Sequence, residues 1–192
     1  LATDIFTLNS PLGATIEEQV VATLNLMRPL WDPGRNYQAH AFVRQSQTFP
    51  DVLLRRRING QEIIMGIELK GWYLLGKEGV PTFRFATTRA ACAPPDLLVV
   101  VPWTLSNVLA GTPVIHPAYI ELASFAAESR NYYWQYERKA KGDRGITVPQ
   151  GITPYPTRGD QISDKPVSDA GHNFGRIDMY GIMNNYVQEA IN

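Results

Sequence analysis

The stretch Pro50-Asp-Val-Leu-Leu-Arg-Arg-Arg-Ile-Asn-Gly-Gln-Glu-Ile-Ile-Met-Gly-Ile-Glu-Leu-Lys70 decides the fold. At its middle stands Asn59-Gly60, the strongest short signal for a two-residue type I′ hairpin turn, because both central residues of that turn need positive φ. With those two residues as the loop, Ile58 pairs with Gln61, and the numbers of every opposed pair sum to 119. Arg57 then faces Glu62, Leu54 faces Met65, Val52 faces Ile67 and Asp51 faces Glu68. Side chains alternate along a strand with a period of two. Val52, Leu54, Ile63, Met65, Ile67 and Leu69 therefore share one apolar face, and Asp51, Glu68 and Lys70 share the other.

Directly opposed residues have Cβ atoms roughly 4.5–5.5 Å apart, close enough for two carboxylates to share one ion. Like charges at that separation repel, and a hard divalent cation, which prefers carboxylate and carbonyl oxygens, removes the conflict. Lys70, two residues beyond Glu68 on the same face, is placed to contact a phosphate oxygen or to orient water. Such a centre suits in-line hydrolysis of a phosphodiester.

Outward from this hairpin, the upstream sequence reads as a helix. Thr15-Ile-Glu-Glu18 has the form of a capping box with Thr15 as N-cap, and Ile16, Val20, Val21, Leu24 and Met27 follow at helical spacing. The helix should stop before Pro29. Trp31 to Arg35 reads as a turn and Ala39 to Gln47 as a first strand. Downstream, Gly71 to Leu75 continues the second hairpin strand, Gly76 to Gly79 is a turn, and Thr87 to Cys92 a short helix. Asp96 to Val101 is an apolar run bounded by prolines, the mark of a buried central strand. Pro117 to Lys141 reads as a long helix, Gly142 to Gly175 as loop or extended chain, and Asp178 to Ile191 as a last short helix.

At these residues the chain resembles the PD-(D/E)XK nuclease superfamily, in its restriction-endonuclease branch. The pattern is Pro50-Asp51, sixteen intervening residues, then Glu68-Leu69-Lys70. Members place the two acidic residues on adjacent strands of a mixed sheet. They also carry an acidic residue on the first helix followed by apolar residues three, four and seven positions on, as Glu17 is by Val20, Val21 and Leu24. The resemblance implies an α/β fold, a central mixed sheet flanked by helices. It implies Mg²⁺, with Mn²⁺ able to substitute, bound by Asp51, Glu68 and the Leu69 carbonyl. Lys70 would support hydrolysis and Glu17 assist. One nuclease-like domain over residues 1–192 is expected, its catalytic core about 14–102, with a C-terminal helix and irregular extension over 103–192.

Composition sets the bounds. The 192 residues suffice for one domain with a real core, and 44% hydrophobic with 19% charged residues is neither a disordered nor a membrane composition. No apolar run approaches the roughly 20 residues of a membrane span, no secretion signal is visible, and the single Cys92 excludes an internal disulfide. A cytoplasmic protein is expected. Lys plus Arg and Asp plus Glu both total 18, so attraction for nucleic acid has to be concentrated locally or supplied by metal. Arg84, Arg89, Lys165 and Arg176 are the candidate nucleic-acid contacts. His172-Asn173 lacks the partner histidines of an HNH nuclease, and Tyr132, Tyr133, Trp134 and Tyr136 read as core or interface. The expected activity is Mg²⁺-dependent endonucleolytic hydrolysis of DNA by a homodimer. A repair or structure-selective nuclease, and a silent nuclease fold serving as a nucleic-acid-binding or assembly module, stay open beside it.

Overall fold

The computed structural model of the chain describes residues 2–45, 47–74, 83–107, 110–139 and 142–177, with 2–12 and 110 as backbone only. The expected turn at Gly76–Gly79 and the helix at Asp178–Ile191 lie outside the described residues. The fold is mixed α/β: one six-stranded sheet with helices on both faces.

Helix α1 spans Ala2–Leu26 and a single turn, α2, spans Arg28–Trp31. The helix thus starts well before the expected N-cap. Thr15 and Glu18 lie inside it, so there is no capping box; a Thr-x-x-Glu pattern marks a helix start only where the chain upstream departs from helix. The stop is where proline demands it, since Pro29 falls in the first turn of α2. Strand β1 spans His40–Arg44, β2 Val52–Arg56, β3 Ile63–Tyr73 and β4 Leu97–Asn107. They are followed by β5 (Ala110–Ile115) and β6 (Tyr119–Leu122). Strands β1, β2 and β3 run antiparallel in sequence order, β3 and β4 are parallel, and β4 takes β6 along its first half and β5 along its second.

The hairpin register holds where the site needs it. Val52 pairs with Ile67, Leu53 with Gly66 and Leu54 with Met65, then the ladder slips by one so that Arg55 meets Ile63. Asn59 (φ 70°) and Gly60 (φ 62°) both take positive φ, as the Asn-Gly turn requires. Because of the slip, Ile64 joins Met65 beside the apolar cluster, and the strands end at Arg56 and Ile63 instead of running to the turn.

Phe42, Val52, Leu54, Ile67 and Leu69 form one buried cluster, covered by Val20, Val21 and Leu24 of α1. Asn25 fixes that helix to the sheet edge. Its amide nitrogen donates to the Phe42 carbonyl (2.8 Å) and its oxygen accepts from the Phe42 amide (3.1 Å), so the side chain stands in for a missing strand neighbour. The opposite face is also covered. Trp72, Leu98 and Val100 pack there with Phe49, Phe83, Phe85 and Ala91, under Ala123, Ala126 and Ala127 of helix α3 (Ala123–Tyr132).

Two further readings are corrected. The segment Pro117–Lys141 is not one long helix: Tyr119–Leu122 is the strand β6, α3 follows, and Tyr133–Glu137 widens into a π-helical turn. Aromatic and β-branched residues at 119 and 120 suit a pleated surface, and β4 had an open edge to pair them. The aromatic group divides: Trp134 is buried, whereas Tyr132 and Tyr136 are exposed. The extension 142–177 is largely irregular, with a minimal pair of strands, β7 (Ile146–Thr147) and β8 (Lys165–Pro166), but it is not superficial. Its backbone bridges residues 83–88, Arg84 to Arg176 and Thr87 to Ser163. Arg130 of α3 anchors it from below. That fully buried guanidinium donates to the carbonyls of Phe85 (2.6 Å) and Thr87 (3.1 Å) and to Asp164 (2.6 Å), itself fully buried.

Candidate metal centre

Strand β3 carries Glu68 and Lys70 toward the α3 face, and β2 is entered through Pro50-Asp51. Asp51 lies just outside β2, one step before the Val52–Ile67 pair, which sets it beside Glu68 as the register count requires. Its Oδ2 accepts a hydrogen bond from the Leu69 amide at 2.8 Å. Lys70 Nζ donates to Glu68 Oε1 at 2.5 Å. Glu68 is 7% exposed, because the face that carries the charges is roofed by the second core cluster.

Electrostatics follows from that placement. Burial first, and then the charge of Glu68, push the Asp51 carboxyl up to about 7, against the pull of Lys70 and of the Leu69 amide. Burial alone would lower Lys70, but Glu68, with Asp51 and Glu17 behind it, outweighs burial and holds the ammonium above the usual lysine value. Two carboxylates share a partly dry place with one lysine. Such a donor set fits a hard divalent cation, which would favour the ionised form of both. Asp51 and Glu68 would hold it, with the Leu69 carbonyl as the backbone donor. Among the described residues no three His, Cys, Asp or Glu side chains gather as a metal cluster.

Two neighbours keep the approach to Asp51 in place. Gln45 donates from its backbone to the Asp51 carbonyl (2.6 Å), and its side-chain amide reaches the carbonyls of Phe49 (3.3 Å) and Pro50 (3.2 Å). Gly66 lets Pro50 lie against β3, since an ideal Cβ there would stand 2.1 Å from Pro50 Cγ. On the other side, the buried Asp96 accepts from the amides of Gly66 (2.6 Å) and Ala93 (2.7 Å) and from the Tyr155 hydroxyl (3.2 Å). None of these three residues has a sequence signal of its own. Their roles depend on which strands become neighbours.

The charge of Glu17 acts on Asp51 and Lys70, but its side chain is bonded to Arg44, whose Nε donates to its Oε2 at 2.5 Å. The candidate nucleic-acid residues are spread out. Arg84 and Arg176 come together as a backbone bridge, and the Arg84 guanidinium donates to the His172 carbonyl (2.6 Å). Arg89 is paired with Glu128 (2.8 Å), and Lys165, exposed, reaches Gln161 (3.3 Å). His40 is buried, with Glu62 at 3.6 Å, and His116 shares a hydrogen bond with Thr104. Among the described residues no helix is long and apolar enough to cross a membrane. Comparison with protein-family models, with curated proteins and with solved structures finds no match to the chain.

Proposed function

We propose that the chain is a Mg²⁺-dependent endonuclease that hydrolyses DNA phosphodiester bonds, of the restriction-endonuclease-like PD-(D/E)XK type, acting as a homodimer. The observation that carries the reading is Asp51, at the entry to β2, bonded to the Leu69 amide between Glu68 and Lys70 of β3, with the Asp51 carboxyl pushed up to about 7 by burial and by Glu68.

A divalent cation bound there supplies a water of lowered pKa and stabilises charge developing on the phosphoryl oxygens. The protein's own part is positional. Asp51, fixed by the Leu69 amide, and Glu68, fixed by Lys70, present their oxygens without rearrangement. Lys70 keeps its proton, so it acts as a donor to the scissile phosphate or to the attacking water and not as a base. Two active sites are needed to cut two strands, which is the reason for the dimer.

The test is cleavage of supercoiled plasmid and of branched DNA with Mg²⁺ or with EDTA. Wild type is compared with Asp51→Ala and Lys70→Ala, each checked for folding by circular dichroism. Metal-dependent cutting lost in both variants supports the nuclease, and discrete bands select the restriction-like form. Binding of DNA without cutting of any substrate, and no Mg²⁺ uptake by calorimetry, would replace it with a binding or assembly module. Equal numbers of acidic and basic residues favour that second reading.

A further inference from the structure

We propose that Arg44 is a substrate-binding residue of this centre, gripping a non-bridging phosphate oxygen, and that Glu17 serves to orient it. This rests on the nuclease reading above and adds a contact that the sequence pattern does not contain.

The placement comes from β1. Arg44 is the last residue of that strand and pairs with Val52, the residue after Asp51. The next residue, Gln45, holds the Asp51 carbonyl and the Phe49 and Pro50 carbonyls before it. By strand alternation Arg44 shares the face of Val52 and α1, where Glu17 and Glu18 meet it, and it flanks the entry to Asp51 at the end of β1. Its charge and that of Asp51 act on each other, and Glu17 acts on both Asp51 and Lys70.

The state of the guanidinium matters more than its proximity. Nε is committed to Glu17, while Nη1 lies 3.9 Å from Glu18, beyond hydrogen-bond reach. Among the described residues the two terminal nitrogens make no hydrogen bond, and the side chain is 39% exposed. Holding a guanidinium through Nε fixes its plane and leaves the terminal N–H groups for a forked contact with an anion. Lys70, by contrast, already gives one of its three donors to Glu68 and is 28% exposed.

Charge balance points the same way. Ionised, the centre and its rim carry Glu17, Glu18, Asp51 and Glu68 against Arg44 and Lys70. A divalent cation brings that group of six to neutrality. A phosphodiester then adds one negative charge, and Arg44 is the cation at the rim with donors left to meet it. As a mere surface ion pair, Arg44–Glu17 would contribute little.

The experiment measures binding of a DNA duplex by fluorescence anisotropy, with Ca²⁺ in place of Mg²⁺ to hold cleavage back, across about 50 to 200 mM salt. Wild type, Arg44→Ala, Arg44→Lys and Glu17→Gln are compared. Arg44→Ala should weaken binding roughly tenfold and lower the slope of log affinity against log salt by about 1, the signature of one lost phosphate contact. Arg44→Lys should keep the slope and bind several-fold more weakly, because the charge remains and the fork does not. Glu17→Gln should keep the slope too, with a smaller loss. If Arg44→Ala melts early, Arg44→Gln takes its place with the same expected slope. A wild type that binds and cuts while the Arg44 variants keep its slope and affinity overturns this inference alone. A wild type that neither binds nor cuts DNA overturns the nuclease reading and this inference together.

Discussion

The Leu69 amide donates to Asp51 Oδ2 at 2.8 Å, so the strand that carries Glu68 and Lys70 also holds the carboxylate that belongs with them. One segment of β3 thereby fixes three polar groups. Moving any of them requires moving the hairpin.

That hydrogen bond does not offset the burial of Asp51, and the pH dependence follows. Asp51 titrates near 7 when folded and near 3.8 when unfolded. Between those values the folded state binds more protons than the unfolded state, so this group makes stability fall as pH rises from about 4 to about 7, with the whole penalty present above that. Asp51→Asn keeps an acceptor for Leu69 and removes the charge. In EDTA at pH 8 the variant should be more stable than wild type by about 1–3 kcal/mol, after allowance for solvent at a part-exposed carboxyl, and the gain should vanish near pH 4. Mg²⁺ should raise the melting temperature of wild type and not that of the variant. Thermal unfolding across pH checks both, and a gain that grows toward low pH would contradict the assignment.

Lys70 is the internal counter-charge of Glu68. Lys70→Ala leaves a nearly buried carboxylate unpaired, which should cost about 1–3 kcal/mol in EDTA. Removing a cation from beside the carboxylates should leave Mg²⁺ affinity equal or higher while cutting is lost. Calorimetry of Mg²⁺ binding separates this from a simple collapse of the centre.

Two glycines of β3 should behave differently. Alanine at Gly66 would place its Cβ 2.1 Å from Pro50 Cγ and 3.1 Å from Asp96 Oδ1, forcing the approach to Asp51 outward. Gly66→Ala should destabilise by about 1–3 kcal/mol and weaken Mg²⁺ binding at least tenfold. At Gly71 a Cβ would meet Ile16 Cδ1 at an ordinary 3.6 Å, and Gly71→Ala should leave metal affinity unchanged. Urea unfolding and Mg²⁺ titration of both variants decide it.

The buried pair Arg130–Asp164 should obey the asymmetry of buried charges. Arg130→Met leaves the buried Asp164 charge with only Asn131 Nδ2 (2.8 Å) as its side-chain donor among the described residues and should cost about 3–5 kcal/mol, whereas Arg130→Met with Asp164→Leu should recover a large part of that. Equilibrium unfolding in urea measures both. Equal losses in the single and double variants would show that the carbonyl contacts of Arg130 to Phe85 and Thr87, and not the ion pair, hold the segment.

The neighbourhood of Asp51, Glu68 and Lys70 was legible in the sequence because a hairpin is local. Asn59-Gly60 fixes a turn, the turn a register, and the register the company of Asp51 and Glu68. The slip at Leu54–Arg55 was invisible, yet it falls on the turn side of the pairs that matter. What escaped is non-local. β6 has a sequence that either a helix or a strand could use, and the open edge of β4 decides between them. Arg44 has no motif of its own and acquires its place from α1 and β2 meeting around it. The roof over Glu68 comes from residues 83–91 and α3, whose position the hairpin pattern does not encode.

The bridges between residues 83–88 and 163–176 have a consequence for the order of assembly. On a ribosome, helix α1, the hairpin and β4 all emerge early, so the apolar face built on Phe42 and Leu54 can close while synthesis continues. The opposite face cannot. The strand-like segment beneath Arg130 finds its backbone partners only when Ser163 and then Arg176 have been made. Until then the Phe85 amide lacks its bond to the Gly175 carbonyl (2.8 Å) and the Thr88 amide its bond to the Ile162 carbonyl (2.6 Å). The hairpin that carries Asp51, Glu68 and Lys70 can thus set their mutual bonds before residues 163–176 exist, while the sheet face under α3 closes only after them.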